Sequence, residues 1–521
     1  MKNLNIFGLS VLMLILSACG GGGGDPETGD SPLSISNIPN QQAAAGETKN
    51  INFTVTGEGA GEVTATDITA TSSDQAIVED SGLAVSGAEG SFSLAITPTD
   101  AEEGSADIAL SATADGETAT EDFTFTIGDG GTDPGTGNPG GADALPESGT
   151  PGYGKAVAVS GDYAAVGAPQ DSSVYVYQRS GDGWTLQTTL TPDDVASSLD
   201  TTPGNFGWSV ALDGDSLLVG APLTSSGDSN NTGAVYGFRR SGNDWGNAQI
   251  IRPTSRGVED RFGWSVAADG DFIIVGAFLD DDNGTDSGRA FVFQYGADGG
   301  NPNIWVERDQ LLPSDVAAGS QFGASVGISN GYAVVGAPNA AKTAGTPNSG
   351  TAYVFQYDNS REWNEVQKLT ASDAGEGDRF GRAVAIDGDY IVIGSFLDDN
   401  NGDESGSVYV YELQGAAWES VSEAFTPADG AADDQFGRSV AISNGTALVG
   451  AYRRDDGGTN GGTAYLLDLS GVSVTSELNN PGAEEDKFGA SVALSADALI
   501  IGAYDLDNNI EVNGSAYIYA R

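Results

Sequence analysis

Residues 262–278 read FGWSVAADGDFIIVGAF, and their pattern decides the fold. Phe262, Trp264 and Val266 alternate with Gly263, Ser265 and Ala267, so one face is bulky and the other small, as in a strand lying between neighbouring sheets. Asp269-Gly270 follows, and Gly270-Asp271 predicts a two-residue turn, because such residues tolerate positive φ. The returning run FIIVGA is apolar on both faces and reads as a buried strand.

The phrase is written seven times, at 153–169, 206–222, 262–278, 322–338, 380–396, 436–452 and 488–504. Its glycines, Gly154, Gly207, Gly263, Gly323, Gly381, Gly437 and Gly489, follow one another at 52 to 60 residues, which marks a repeat architecture. After each phrase come a variable loop and a third strand such as GRAFVFQY (288–295). A fourth follows in which Trp and Leu recur, as in WNEVQKL (363–369). Four antiparallel strands repeated radially make a propeller blade. The expectation is an all-β chain with a seven-bladed β-propeller over residues 142–521.

These anchors resemble the FG-GAP repeat propeller of integrin α-subunits and of many bacterial surface proteins, since Phe-Gly and Gly-Ala-Pro-like pairs recur at one spacing in every copy. The resemblance implies a surface domain that binds a ligand. One departure matters. The integrin-type calcium loop is a long Asp-rich hairpin between Phe-Gly and Gly-Ala-Pro, whereas this chain has a two-residue turn there, so those calcium sites do not carry over. The last repeat stops after its third strand, GSAYIYAR (514–521). Residues 142–145, in ADALPESG, are therefore expected to supply its missing outer strand and cover an open edge.

The N-terminal third has a different texture. Residues 1–18 read as a signal peptide with an apolar core from Ile6 to Leu16, too short to span a bilayer. Leu16-Ser17-Ala18-Cys19-Gly20 resembles the bacterial lipobox, which implies an acylated Cys19 as the membrane anchor, with no Asp beside it to favour inner-membrane retention. Outer-membrane lipoprotein is the expected location. Residues 19–31 form a flexible tether. Short alternating runs over 32–128, such as INFTVTG and EDFTFTIG, predict a small β-sandwich that resembles bacterial immunoglobulin-like or cadherin-like modules, and a Gly/Pro linker follows at 129–141.

The chain carries 74 acidic against 21 basic residues and no histidine, for a net charge of −53. A nucleic-acid partner is excluded by repulsion from phosphates, and contact with membrane is expected through Cys19 alone. Without histidine, and with one cysteine in the lipobox-like run, Ser-His and Cys-His catalysis are unavailable. The expectation is a protein without enzymatic activity. A carbohydrate-active enzyme, lyase or hydrolase, or its substrate-binding subunit, is the alternative.

Three sets of residues are candidates for a site. In the loops LDDDNGTDSG (279–288) and LDDNNGDESG (397–406), Asp280, Asp282, Asp286, Asp398 and Asn400 offer clustered hard oxygen donors, as calcium requires. The competing reading is an acidic hairpin whose Asp and Asn cap their own backbone. Asp260, Asp378, Asp434 and Asp486, two places before Phe, are expected to cap turns. The residue after Phe-Gly varies around the ring as Lys155, Trp208, Trp264, Ala324, Arg382, Arg438 and Ala490. Trp208, Trp264, Arg382 and Arg438 form a candidate ligand rim for an acidic sugar polymer or an anionic protein loop, unless the alternation that groups Trp264 with Phe262 packs it between blades. The functional expectation is a monomeric, lipid-anchored cell-envelope binding or adhesion protein with a protein or polysaccharide ligand.

Overall fold

The computed structural model describes residues 33–127 except 36–40, 44–48, 57–62, 76, 89–90, 100–103 and 115–116. It also describes residues 143–521 except 146–149, 182, 195–203, 226–229, 247, 297–302, 344, 359, 456–459, 482–486 and 505–513. The signal-like segment, Cys19, the tether, the 129–141 linker and Asp486 lie outside the described residues. The chain divides into two compact units, residues 1–127 and 128–521.

The first unit is a sandwich of two four-stranded sheets. One joins Ser34–Ile35, Lys49–Thr56, Ser91–Ile96 and Leu83–Ala88 in that spatial order. The other joins Gln41–Ala43, Glu117–Ile127, Gly104–Ala114 and Ile68–Ser72. Val55, Leu94 and Ile96 of one sheet and Ile108, Leu110 and Ala112 of the other share one core, as alternation along each strand requires.

The second unit is built from seven four-stranded antiparallel sheets. Blade three shows the plan: Ser265–Asp269, Phe272–Ala277, Arg289–Tyr295 and Trp305–Leu311 pair in chain order. The first strands touch one another in sequence around the molecule, and the seventh blade's first strand touches the first blade's, so they form a closed inner ring. In the last blade, Asp143–Ala144 pairs with Ser515–Ala520 through Tyr517↔Ala144 and Ile518↔Asp143. Leu145 donates its N–H to the Ala516 carbonyl at 2.9 Å and is buried at 2 % exposure. The outer edge closes as the missing fourth strand implied.

The repeated glycines are explained by contacts between blades. The Phe-Gly glycines hold positive φ, between 81° and 92°, and their carbonyls press on the preceding blade. A Cβ on the Gly-Ala glycine, from Gly167 to Gly502, would lie 1.9–2.2 Å from the carbonyl oxygen of the next Phe-Gly glycine. The same Phe-Gly segment is also approached by Gly233, Gly288, Gly350, Gly406 and Gly462 of the preceding blade, where a Cβ would meet the Phe carbonyl at 2.0–2.1 Å. Only hydrogen fits there. Serines lace the same seam: Ser209, Ser265, Ser325, Ser439 and Ser491 donate to the carbonyls of Gly263, Gly323, Gly381, Gly489 and Gly154 at 2.7–2.9 Å. Ala156 and Ala383 stand at the two remaining positions and offer no such bond.

Each Phe of the phrase is buried against an aromatic ring of its own blade's third strand, edge-on in blades two to six and tilted in blade seven. Phe262–Phe291 at 5.5 Å and Phe380–Tyr409 at 5.1 Å are examples, and each such pair contributes about 0.5–1.5 kcal/mol beyond its buried area. Tryptophans in or just before the outer strands lock neighbouring blades: Trp245 against Tyr163, Trp363 against Phe272 and Trp418 against Tyr332.

Candidate functional site

The positive φ of Gly263 changes where Trp264 goes. The sequence pattern places Phe262, Trp264 and Val266 on one strand face, but the regular strand begins only at Ser265 and the Phe-Gly pair forms a turn. The alternation is broken, and Trp264 is released from the buried face that holds Phe262. The correction applies in blades one to five, where the strands start after the phrase's glycine; in blades six and seven the pairing is interrupted between Phe436 and Ser439 and between Phe488 and Ser491.

As a result, the residues after Phe-Gly come together at one end of the inner ring. Lys155, Trp208, Trp264, Arg382 and Arg438 are all half-buried. The Trp208 and Trp264 rings lie 4.7 Å apart across the blade boundary, and Trp264 lies 4.3 Å from Phe278. Lys155 Nζ sits 4.2 Å over Trp208. The Arg438 guanidinium lies 5.6 Å from both Phe396 and Tyr452. The wall is thus aromatic on blades two and three and cationic on blades five, six and one, with small Ala324 and Ala490 between.

Three like charges meet at this mouth. Desolvation, with repulsion from Arg438 and Arg382, pulls the Lys155 ammonium down to about 7. Repulsion from Arg438, followed by desolvation, pulls Arg382 to about 9. Lys155 keeps some accessible area yet is ringed by protein, which is why burial dominates its shift. Its membership was legible only in the column of variable residues, and the four-residue rim did not include it. A collar of further cations surrounds the mouth: Arg261 over Trp264 and Phe278, Arg453 and Lys487 over Tyr452, and Arg379 within electrostatic reach of Arg382. Arg261, Arg379 and Lys487 hold left-handed φ of 55° to 63° at the position before Phe, a strained conformation for such residues.

The opposite end of the ring carries the other sign. Asp213, Asp269 and Asp387 close the first strands of blades two, three and five. Each accepts the first turn N–H of the next blade, from Gly270, Asn330 and Asn444, at 2.7–2.8 Å. Burial, with repulsion from Asp213 and Asp387, raises Asp269 above the usual carboxylate range.

The acidic loops are organised otherwise than calcium needs. Asp280 is 1 % exposed; its Oδ1 accepts the Asp282 N–H at 3.1 Å and pairs with Arg289 at 3.4 Å, while Asp282 pairs with the same guanidinium at 3.1 Å. The Asp286 N–H donates to Asp281 at 2.7 Å. In blade five Asp398, 2 % exposed, accepts the Asn400 N–H at 2.9 Å and the Tyr409 hydroxyl at 2.8 Å, and Asn400 Nδ2 donates to Asp373 at 2.8 Å. Asp280 and Asp282 thus share the Arg289 guanidinium, Asp398 and Asn400 engage Tyr409 and Asp373, and Asp286 takes part through its backbone N–H. Among the described residues no group of three or more carboxylates is placed to hold a metal ion. The sequence could not show this, because Arg289 and Tyr409 reach the loops from the third strand. Asp260, Asp378 and Asp434 cap turns, accepting the N–H of Gly257, Gly375 and Ala431. Burial, opposed by the Gly257 N–H and aided by the Asp280, Asp281 and Asp282 charges, lifts Asp260 to about 6.

The sequence matches the FG-GAP repeat over residues 184–238, 245–293, 305–355, 363–411, 418–467 and 479–519. The chain belongs to the FG-GAP repeat family. No curated protein sequence matches this FG-GAP chain. Among solved structures it is similar to a putative 6-phosphogluconolactonase from Bacteroides fragilis, at TM-score 0.41 and 12% identity over 74% of this chain and 92% of that one. It is also similar to a thermostable family-43 glycoside hydrolase, at TM-score 0.31 and 12% identity over 55% and 98%. The β-propeller domain of the Trilobed protease from Pyrococcus furiosus gives TM-score 0.32 and 10% identity over 73% and 98%. None of these likenesses bears on what the FG-GAP propeller binds or does.

Proposed function

We propose that this FG-GAP protein is a cell-envelope binding or adhesion module, anchored through Cys19 with the sandwich as spacer, whose propeller takes an acidic polysaccharide at the Phe-Gly end of its ring. The observation that carries the reading is the meeting of Trp208 and Trp264 with Lys155, Arg382 and Arg438 at one mouth of a chain whose net charge is −53. Aromatic faces suit sugar rings, and guanidinium forks suit carboxylate or sulfate groups. A surface that elsewhere repels polyanions confines the attraction to this mouth, which supports selectivity more than raw affinity.

Co-sedimentation of the mature chain with acidic and neutral polysaccharides, followed by sizing of the polymer, tests the reading. Binding of the acidic polymers at unchanged length is expected, with no requirement for calcium. Trp208→Ala and Arg382→Ala should each weaken it by about tenfold, as central contacts do. Shortened polymer would replace the binding module with a carbohydrate-active enzyme, and an absence of binding would refute the polysaccharide ligand.

A further inference from the structure

We propose that blade five binds one alkali-metal ion, sodium or potassium, between Asp373 and Asp398, in the place that a lysine or arginine side chain fills in blades three, four and six. The site is independent of whatever the Phe-Gly mouth binds.

The same spot is found in each of these blades by counting from the repeated phrase. It lies among the residue seven places before Phe, the residue four places after the Gly of Gly-Ala, and the first and third residues of the third strand. In blade three the Arg289 guanidinium, from the third strand, lies 3.4 Å from Asp280 and 3.1 Å from Asp282, and reaches the Ser255 hydroxyl at 3.3 Å. In blade four Asp315 accepts the Tyr353 hydroxyl at 2.8 Å and pairs with Lys368 of the outer strand at 2.7 Å. In blade six Arg454, from the loop after Gly-Ala, pairs with Asp429 at 2.7 Å and touches the Tyr465 hydroxyl. Three different elements thus deliver a positive charge to one place.

Blade five delivers none. Ser407 stands where Arg289 does, Asp373 where Ser255 does and Asn400 where Asp282 does, so two carboxylates remain and the cation is gone. Among the described residues neither Asp373 nor Asp398 has a lysine or arginine within ion-pair distance. Lys342, beside them, donates instead to the carbonyls of Ala371 and Ser372 at 2.6 and 3.2 Å. Both carboxylates meet one phenol: the Tyr409 hydroxyl lies 2.6 Å from Asp373 Oδ1 and 2.8 Å from Asp398 Oδ2. A phenol has one proton, so one of these contacts is made without it. Two carboxylates that close repel unless a positive charge joins them.

A second observation points to the same occupant. The Ser407 hydroxyl is 0 % exposed and has no hydrogen-bond partner, yet it faces Asp398 closely enough to favour the charged form of that carboxyl. It stands at the position from which Arg289 reaches Asp280 in blade three. Carboxylate, phenol and hydroxyl oxygens suit a hard cation. One guanidinium serves both carboxylates of blade three, so a single positive charge is enough. Asp373 and Asn400 are exposed while Asp398 and Ser407 are buried, which gives an ion both an entrance from solvent and a dry wall to bind.

The test is thermal unfolding of the purified chain in choline chloride, with sodium or potassium chloride replacing the choline at constant ionic strength. The melting temperature of the wild type should rise saturably, and the ion that saturates at lower concentration is the one selected. Asp373→Asn, at an exposed position that does not threaten folding, should weaken this binding by about tenfold. Ser407→Arg restores the plan of blade three; it should melt in choline at least as high as the saturated wild type and lose the response. Asp315→Asn, in the blade with its own lysine, should keep the response. A rise that is equal in wild type and Asp373→Asn is a general salt effect and would overturn the site. The rival occupant is a proton, since burial raises the Asp398 carboxyl above the usual range. A melting temperature in choline that falls as pH climbs from about 4 to 7, with no response to alkali ions, would give the place to that proton and overturn the ion. A response to calcium with sodium and potassium inert would overturn its single charge.

Discussion

The two ends of the inner ring are made by the same repeated phrase, yet they differ in packing and in charge. At the Phe-Gly end the chain is pressed against two strand ends of the preceding blade, and a single added carbon would strike a carbonyl. At the hairpin end the turn glycines Gly161, Gly214, Gly270 and Gly388 have nothing within 4 Å of where a Cβ would stand. The tight end gathers cations and the loose end carboxylates. Repetition fixes the backbone at both ends, and the positions it leaves free set the chemistry separately at each.

The difference in packing is the easiest to break. Gly394→Ala places a Cβ 1.9 Å from the Gly437 carbonyl oxygen, backbone that cannot move without parting two blades. It should cost about 3 kcal/mol or more, or prevent folding. Gly270→Ala meets no atom and adds only the strain of φ 58°, about 1 kcal/mol. Equal losses in urea denaturation would show that the two ends are packed alike.

The difference in charge predicts opposite responses to pH. Lys155 falls from 10.5 to about 7 on folding, so between those values the unfolded chain holds more protons and stability rises with pH. Lys155→Met should therefore stabilise most at and below pH 7, with the gain vanishing above pH 10.5. Asp269 is raised on folding, so stability falls as pH climbs from the unfolded value through the folded one. Asp269→Asn should stabilise modestly at neutral pH, lose that gain in acid, and leave ligand binding at the far mouth unchanged. Melting curves from pH 3 to 11 that show the same pH sense in both variants would contradict the bipolar ring.

The smallest expected effect sharpens the picture of the seam. Ala383 occupies the place where Ser209, Ser265, Ser325, Ser439 and Ser491 donate to the next blade. Ala383→Ser should complete one missing link to Gly437 and add about 0.5–1.5 kcal/mol. No gain would mean that the seam is held by the close glycine contacts and not by the serines.

Most of the fold was legible because its causes are local or periodic. Phe-Gly, Asp-Gly and Gly-Ala recur at one spacing, and a third strand without a fourth pointed to residues 142–145. The site was legible only in part, because its causes are not local. Trp208, Trp264, Arg382 and Arg438 could be picked out as variation within a constant frame. That Lys155 joins them depends on ring closure, and that Trp264 leaves the Phe262 face depends on one glycine's φ. The partners of Asp280 and Asp398 were illegible for a similar reason. Arg289 and Tyr409 lie close to them in sequence but reach them from the next strand, where loop composition gives no sign of the pairing.

The outer strand at Asp143–Ala144 belongs to the beginning of the propeller and its partner to the last residues of the chain. A ribosome makes the first long before the second, and at typical synthesis rates the interval is on the order of tens of seconds. A product truncated before residue 515 leaves Asp143–Ala144 without its partner strand, and an unpaired strand edge is a form that proteases and aggregation both recognise.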